Sequence, residues 1–361
     1  MQIRRLRIQN LRIIESADVE PAEGINVIAG GNGAGKTSIL EAIYLAGRGR
    51  SFRHADAGPM IRQGSDSATV VAELFDERRN AQSIVGIRRE KRAFQCRIDG
   101  VDVLRRSTLA EALPVQWISS QPQLLLSSGP DTRRRFLDMG LFHVEHSYLR
   151  EMAEFQRVLK QRNAAIRTGN RSDLMLWNAP FAQIAMKLDE RRSRLCSLLN
   201  ERIDDIGARW KWDFGVELRY RSGWPTGVEI AEALRKKTDL DFQMGYTTVG
   251  PQRAELEFIS DVGILEKRLS RGQQKLLVLA TNFALMDLIA SSKQQFPVLL
   301  LDDLPAELDI ANREKVMQEI ANRPLQAFVT VIEKGYLPGM SANPIGYQMF
   351  HVEHGSLKST G

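Results

Sequence analysis

Cysteine, histidine and aromatic residues are scarce in this 361-residue chain, which has two Cys, five His and 7% aromatics. Cys96 and Cys196 stand 100 positions apart. They form neither a disulfide framework nor a Cys-x-x-Cys pair, and they point to a reducing compartment. No run approaches the roughly 18 apolar residues of a membrane span. The opening stretch MQIRRLRIQN is broken by arginines and holds no apolar leader core. These absences argue against a secreted, disulfide-stapled or membrane-embedded protein, so the expected setting is cytoplasmic with no membrane partner. What is present can build a large core: 43% of residues are hydrophobic and 26% charged, and the length suits about two domains. Fifty Lys+Arg against 44 Asp+Glu leave a net charge of +6, a mild bias compatible with a polyanionic partner.

The N-terminal third reads as strands and turns. Ile3, Leu6 and Ile8 sit among arginines, and the β-rich run Ile25-Asn26-Val27-Ile28-Ala29 ends in a glycine cluster. From Thr37 to Ala46 the apolar residues Ile39, Leu40, Ile43 and Tyr44 recur at helical spacing. Residues 69–103 read as antiparallel strands, with Asp99-Gly100 as a hairpin turn. In the middle, glycine thins out, and Asp131–Arg167 and Leu174–Arg209 keep helical spacing. That pattern predicts two helices of about 35 residues in an αα-hairpin about 50 Å long, joined at Thr168-Gly169-Asn170-Arg171-Ser172. After Gly245 the pattern returns to short strands, a helix over 273–290, an apolar strand at Val298–Leu301, a further helix, and a strand near Ala327–Val331. The pentapeptide Phe-His-Val-Glu-His occurs twice, at 142–146 and 350–354, and holds four of the five histidines. One copy falls on an expected helix and the other on an expected strand, so coincidence explains the repeat better than a shared metal site.

Gly30-Gly31-Asn32-Gly33-Ala34-Gly35-Lys36-Thr37 matches the P-loop pattern G-x-x-x-x-G-K-[ST], with a strand before it and an amphipathic helix after it. Backbone N–H groups of such a loop curl around phosphate oxygens, and the helix N-terminus adds a positive dipole end. Lys36 is placed to reach the β- and γ-phosphates of ATP, and Thr37 to hold Mg²⁺. Far along the chain, Val298-Leu299-Leu300-Leu301-Asp302-Asp303 has the form of a Walker B strand. Asp302 is the expected Mg²⁺ ligand, and Asp303 the carboxylate that polarises the attacking water. The two motifs are 266 positions apart, which requires an insertion. Leu269-Ser270-Arg271-Gly272-Gln273-Gln274-Lys275 opens the helix before that strand and resembles the ABC signature LSGGQ, with Arg271 at the first glycine. A serine cap, a glycine and a helix dipole make a second anion receptor. Two such helix ends in one chain imply a head-to-head dimer, in which Ser270, Gly272 and Gln273 of one copy close over the nucleotide held by Lys36 of the other.

With these three motifs in order, the chain resembles the RecF family of bacterial recombinational-repair ATPases, within the ABC superfamily beside SMC proteins. The resemblance runs nearly end to end. It includes Ile8-Gln9-Asn10-Leu11-Arg12, Leu40-Glu41-Ala42-Ile43-Tyr44, Arg50-Ser51-Phe52-Arg53, the run Gly129–Asp138, Leu159-Lys160-Gln161-Arg162-Asn163, Gly250-Pro251-Gln252-Arg253, and Asp302-Asp303 followed by Glu307-Leu308-Asp309 as a D-loop. There are departures: the family usually has His at Gln252 and Ser at Ala306. The resemblance implies that Thr330 senses the γ-phosphate and that Asp309 adjoins the nucleotide. It leaves Gln121 and Gln123 both open as the glutamine-loop residue. It also implies slow, DNA-dependent ATP hydrolysis, ATP-bound homodimers, binding to single-stranded, gapped and double-stranded DNA, loading of recombinase with mediator proteins, and support of the SOS response.

The arginines at 4, 5, 7, 12, 48, 50, 53, 88, 89, 92 and 133–135, with Lys91, are candidate phosphate contacts, so binding is expected to weaken with salt. The expected fold class is α/β: an ABC-type P-loop ATPase head, with a mixed sheet and an antiparallel β lobe, carrying an inserted α-helical arm. The expected boundaries are 1–125 and 245–361 for the head and 126–244 for the arm. Two alternatives are the ATPase subunit of a membrane transporter and a short-armed SMC-like clamp. The first lacks support in the altered signature and the absent switch His, the second in arms of only about 35 residues per helix.

Overall fold

A computed structural model describes residues 1–53, 58–261, 263–303, 308–332 and 347–360, and in it the chain forms two compact units. The first unit joins Met1–Pro122 to Gln294–Gly361, and the second is Gln123–Lys293. Its N-terminal elements are β1 (Gln2–Leu11), β2 (Ile14–Val19), β3 (Ile25–Ala29), α1 (Lys36–Arg48), β4 (Ser67–Asp76), β5 (Ala81–Glu90), β6 (Phe94–Ile98), β7 (Val101–Asp102), α2 (Arg106–Ala112) and β8 (Val115–Ile118). The second unit contains α3 (Leu124–Ser127), α4 (Pro130–Val144), α5 (Tyr148–Arg167), α6 (Arg171–Trp210), β9 (Glu217–Arg221), α7 (Ile230–Lys236), α8 (Thr238–Met244), β10 (Glu255–Ser260), β11 (Gly263–Ile264) and α9 (Arg271–Lys293). The chain then returns to the first unit with β12 (Val298–Leu301), α10 (Ile310–Ala321), β13 (Ala327–Val331), β14 (Tyr347–Glu353) and β15 (Ser356–Thr360).

The first unit has the mixed sheet and antiparallel lobe expected from the sequence. The mixed sheet runs β15-β14-β3-β13-β12-β8, and the antiparallel sheet β2-β1-β4-β5-β6-β7. Strands β3, β12 and β13 are buried at every residue, as parallel strands covered on both faces must be. Helix α1 buries Ile39, Leu40 and Ile43 at 3% exposure or less, each worth about 1.5–3 kcal/mol. The two sheets are tied by Gln326, whose amide accepts from Ile3 N and donates to Ile3 O and Ala22 O. The Asp99-Gly100 turn closes the β6–β7 hairpin with positive φ at both residues, as a tight hairpin requires.

The second unit corrects the sequence reading at two points. The expected 35-residue helix over 131–167 is two helices, α4 and α5, because Glu145 adopts extended backbone (φ −116°, ψ 112°). The break is held by side chains rather than by a helix-breaking residue. Arg191 of α6 donates to Glu145, Ser147 and Glu151, and Tyr148 and Arg192 both donate to Asp138 of α4. The second correction is the boundary. Residues 245–293, expected in the head, cluster with the helices, because β10 pairs with β9 across Glu255↔Arg221 to Ile259↔Glu217. Helix α9 also buries its apolar residues within this unit. Its most apolar 18-residue window, of mean hydropathy 1.4, is long and apolar enough to span a membrane by composition alone, but it is 78% buried in the protein.

Between α5 and α6 the turn is capped by Asn170, whose side chain accepts from Asp173 N. Below it, Arg162 donates to Asp241 at 2.8 Å and to Thr247 at 2.7 Å, with both charged residues fully buried. Arg133 pairs with Glu255 and donates to the carbonyls of Leu126 and Ser128, while Arg134 donates to Ala254 O. Those two candidate DNA or ATP contacts therefore serve the internal structure of their own unit. The two Phe-His-Val-Glu-His copies fall at the end of α4 and along β14, in different units.

Candidate functional site

In the mixed sheet β13 lies between β3 and β12, with Thr330 opposite Ile28 and Val329 opposite Leu301. The carboxyl ends of these three parallel strands therefore open side by side, the place where α/β sheets bind ligands. The P-loop leaves β3, the acidic pair leaves β12, and Thr330 stands between them. Thr37 Oγ1 donates to Asp302 Oδ1 at 3.0 Å, and Thr330 Oγ1 donates to the same oxygen at 2.8 Å. The Thr330 hydroxyl in turn accepts from Asp303 N at 2.7 Å. Residues separated by 265 positions in sequence are thus joined by one chain of hydrogen bonds. Asp303 holds φ at +53°, a left-handed conformation that Asp tolerates better than most residues.

The loop itself shows why its residue types are needed. A Cβ on Gly30 would stand 2.3 Å from Val352 O, so only glycine lets the loop run against β14. Gly35 sits at φ +116° where the loop turns into α1. Lys36 folds back on the loop and donates to Gly30 O at 2.7 Å and Gly31 O at 3.0 Å. Burial lowers its pKa, against the pull of Asp303 and Asp302. Burial raises the Asp302 pKa, opposed by the hydroxyls of Thr330 and Thr37 and by the charge of Arg53. Burial thus disfavours the charged form of both groups, a cost that an anion beside Lys36 and a cation beside Asp302 would offset.

A cleft of about 250 Å³ lies over the loop, lined by Arg12, Ile13, Gly33, Ala34, Gly35, Lys36, Thr37, Ser38 and Arg53. Gly31, Asn32 and Gly33 are exposed at its rim. The residue types fit a nucleoside triphosphate with Mg²⁺: backbone donors, a lysine and the exposed Arg53 for phosphate, and the hard oxygens of Thr37 and Asp302 for the cation. Arg12 and Arg53 fall in the sequence within basic clusters and within segments that carry the family resemblance, and their places beside the phosphate loop emerge from the fold.

The signature segment lies in the second unit. Ser270 Oγ accepts from Gln273 N at 3.3 Å, and Gln273 Oε1 accepts from Ser270 N at 2.9 Å. This is a capping box at the start of α9, with Ser270 itself exposed. The cap uses Gln273 Oε1 and Ser270 Oγ as acceptors, Ser270 is exposed, and Gly272 and Gln273 are half-buried. Asp309 caps α10 by accepting from Asn312 N at 2.7 Å, and the preceding D-loop residues Ala306 and Glu307 lie outside the described residues. Neither Gln121 nor Gln123 lines the cleft. Gln252, at the departure from the family pattern, donates to Val249 O and Thr247 O within its own unit.

A P-loop and an acid-ended strand on a mixed sheet, with an antiparallel lobe and a serine-capped signature helix, define an ABC-type ATPase head. Residues 2–357 match the family model of the RecF/RecN/SMC N-terminal domain. The chain is 36% identical to the DNA replication and repair protein RecF of Shewanella denitrificans and 37% identical to that of Shewanella pealeana, over 99% of each chain. Among solved structures it is similar to a recombination mediator protein RecF bound to ATP (TM-score 0.87, 19% identity, 99% of this chain and 97% of that one). It is also similar to an Smc head bound to the C-winged helix domain of ScpA (TM-score 0.59, 17% identity, 100% and 98%). The chain belongs to the RecF family.

Proposed function

We propose that this chain is an ATP-dependent DNA-binding protein of replication and recombinational repair. The observation that carries the nucleotide part is the hydrogen-bonded sequence Thr37–Asp302–Thr330–Asp303, which joins the P-loop to the acidic strand end. Gly30, Gly31, Asn32, Gly33, Ala34 and Gly35 cradle the phosphates of ATP, and Lys36 exchanges its two loop carbonyls for phosphate oxygens. Thr37 and Asp302 hold Mg²⁺, which supplies charge neutralisation on the phosphates. Asp303 polarises the attacking water, and Thr330 fixes both carboxylate-bearing residues relative to each other.

Ser270 and the backbone at Gly272 of a second copy close over the nucleotide, so that ATP binding makes a homodimer and hydrolysis opens it. Gln273 meets the nucleotide beside them, and Asp309 adjoins the same interface. The dimer binds single-stranded, gapped and double-stranded DNA mainly through phosphate contacts. Hydrolysis is slow and DNA-stimulated, and the bound dimer works with mediator proteins to load recombinase at gaps and support the SOS response. The relatives named for DNA replication and repair support this role.

The test is light scattering of the wild type and Lys36→Met with Mg·ATP and gapped DNA, at low and high salt. The wild type is expected to double its mass with ATP and to bind DNA less tightly as salt rises. A wild type that stays monomeric with ATP and DNA, or a Lys36→Met variant that dimerises as well, would overturn the reading.

A further inference from the structure

One fully buried carboxylate beside the phosphate cleft has no part in the chemistry above. Glu41, on α1 one turn beyond the P-loop lysine, is 0% exposed. It accepts a two-pronged hydrogen bond from Arg12, with Nε at 2.9 Å and Nη2 at 2.7 Å. Ser51 Oγ donates to the same carboxylate at 2.5 Å, and that hydroxyl accepts from Arg53 N at 2.9 Å. Glu41 is thus the shared anchor of two segments, the β1–β2 turn and the loop after α1, and each brings one arginine to the cleft.

The two arginines differ in what is left for a ligand. Arg12 is 13% exposed and also donates to Pro59 O, so its guanidinium is largely engaged by the protein. Arg53 is exposed and forms no ion pair among the described residues, and the acid that feels its charge is Asp302. Its backbone N is held by the Ser51 hydroxyl while its side chain lines the cleft. An ionised carboxylate buried without solvent is costly unless fully paired, and here its partners are the groups that shape the cleft wall.

We propose that Glu41 and Ser51 are positioning residues for nucleotide binding: they hold the backbone at Arg53 so that its guanidinium meets the triphosphate bound by the P-loop. The inference rests on the ATP reading above. It separates Arg12, a structural strut, from Arg53, the cation offered to phosphate. Glu41 acts on the ligand only through the loop it anchors.

The test is a double-mutant cycle read by titration calorimetry with a non-hydrolysable ATP analogue and Mg²⁺, using Ser51→Ala, Ser51→Thr, Arg53→Ala and the Ser51→Ala/Arg53→Ala pair in the full chain. Arg53→Ala is expected to weaken binding roughly tenfold or more, the effect of losing one charge-assisted contact. Ser51→Ala is expected to weaken it roughly threefold to tenfold, and Ser51→Thr, which keeps the hydroxyl, to stay within about twofold of the wild type. In the Arg53→Ala background Ser51→Ala should add nothing further. Equal losses from Ser51→Ala with and without Arg53, or failure of threonine to rescue, would show a merely structural role and overturn the proposal. So would unchanged binding by Arg53→Ala while Lys36→Ala binds nothing, a result that leaves the ATP reading standing. If the wild type itself does not bind the analogue, the ATP reading fails first.

Discussion

Replacing Thr330 by valine probes the site at its most connected point. The change is nearly isosteric, and Thr330 is fully buried, so water cannot take over the lost hydroxyl. That hydroxyl donates to the Asp302 carboxylate and accepts from Asp303 N. The first bond has a charged acceptor and is worth about 1.5–3 kcal/mol, and the second is worth about 1 kcal/mol. A buried methyl offsets part of this, about 0.8 kcal/mol, which leaves a net cost of about 2–3 kcal/mol. For a unit of this size each kcal/mol moves the melting temperature roughly 2–4 °C, so a fall of about 5–10 °C is expected in differential scanning calorimetry of the nucleotide-free protein. Thr330 also holds the Asp302 pKa down. Its loss lets that pKa rise further, and Mg²⁺ binding needs the carboxylate, so the acid limb of Mg·ATP affinity should move to higher pH. Thr330→Ser should keep both properties close to the wild type. A valine variant that melts with the wild type and titrates at the same pH would refute the coupling of β13 to the acidic pair.

Two further changes separate function from stability. Asp302→Asn should abolish Mg²⁺-dependent ATP binding yet leave the nucleotide-free protein as stable or more stable. The raised folded pKa of Asp302 means that its contribution is fully present below the ordinary carboxylate pKa and is lost as pH rises through the raised value. The gain should therefore show in thermal melts at neutral pH and shrink in acid, and a variant destabilised at neutral pH contradicts that sign. In the second unit, Asp241→Ala strands the buried Arg162 charge and should cost about 3–5 kcal/mol in urea unfolding. A loss below about 1 kcal/mol would mean that the pair is not buried in solution.

Local signals made much of this site legible in the sequence. The P-loop announces itself because strand, glycine turn and helix follow one another directly, and the acidic pair because an apolar run ends abruptly at Asp302-Asp303. Asp99-Gly100 was readable because a tight hairpin needs residues that tolerate positive φ. What stayed hidden depends on partners distant in the chain. No residue at 145–147 forbids a helix, and the interruption comes from Arg191 and Arg192 reaching across from α6. The allegiance of residues 245–293 follows from β10 pairing with β9, a choice that strand propensity does not encode. Gln326 reads as an ordinary surface amide until Ile3 and Ala22 surround it. Glu41 stands in a segment that carries the family resemblance, but only the fold shows it buried beneath Arg12 and Ser51.

The claim most in need of a direct measurement is that each nucleotide is shared between two copies of this chain. Lys36→Met and Ser270→Arg are each expected to lack ATP hydrolysis alone, the first losing its own phosphate lysine and the second blocking the partner's site. Mixed in equal amounts with DNA present, only the mixed dimer holds an intact composite site, one of its two. Hydrolysis per chain should then recover, to at most about half of the wild-type rate. A mixture as inactive as its two components, or a Ser270→Arg protein that hydrolyses ATP normally by itself, would contradict the shared site.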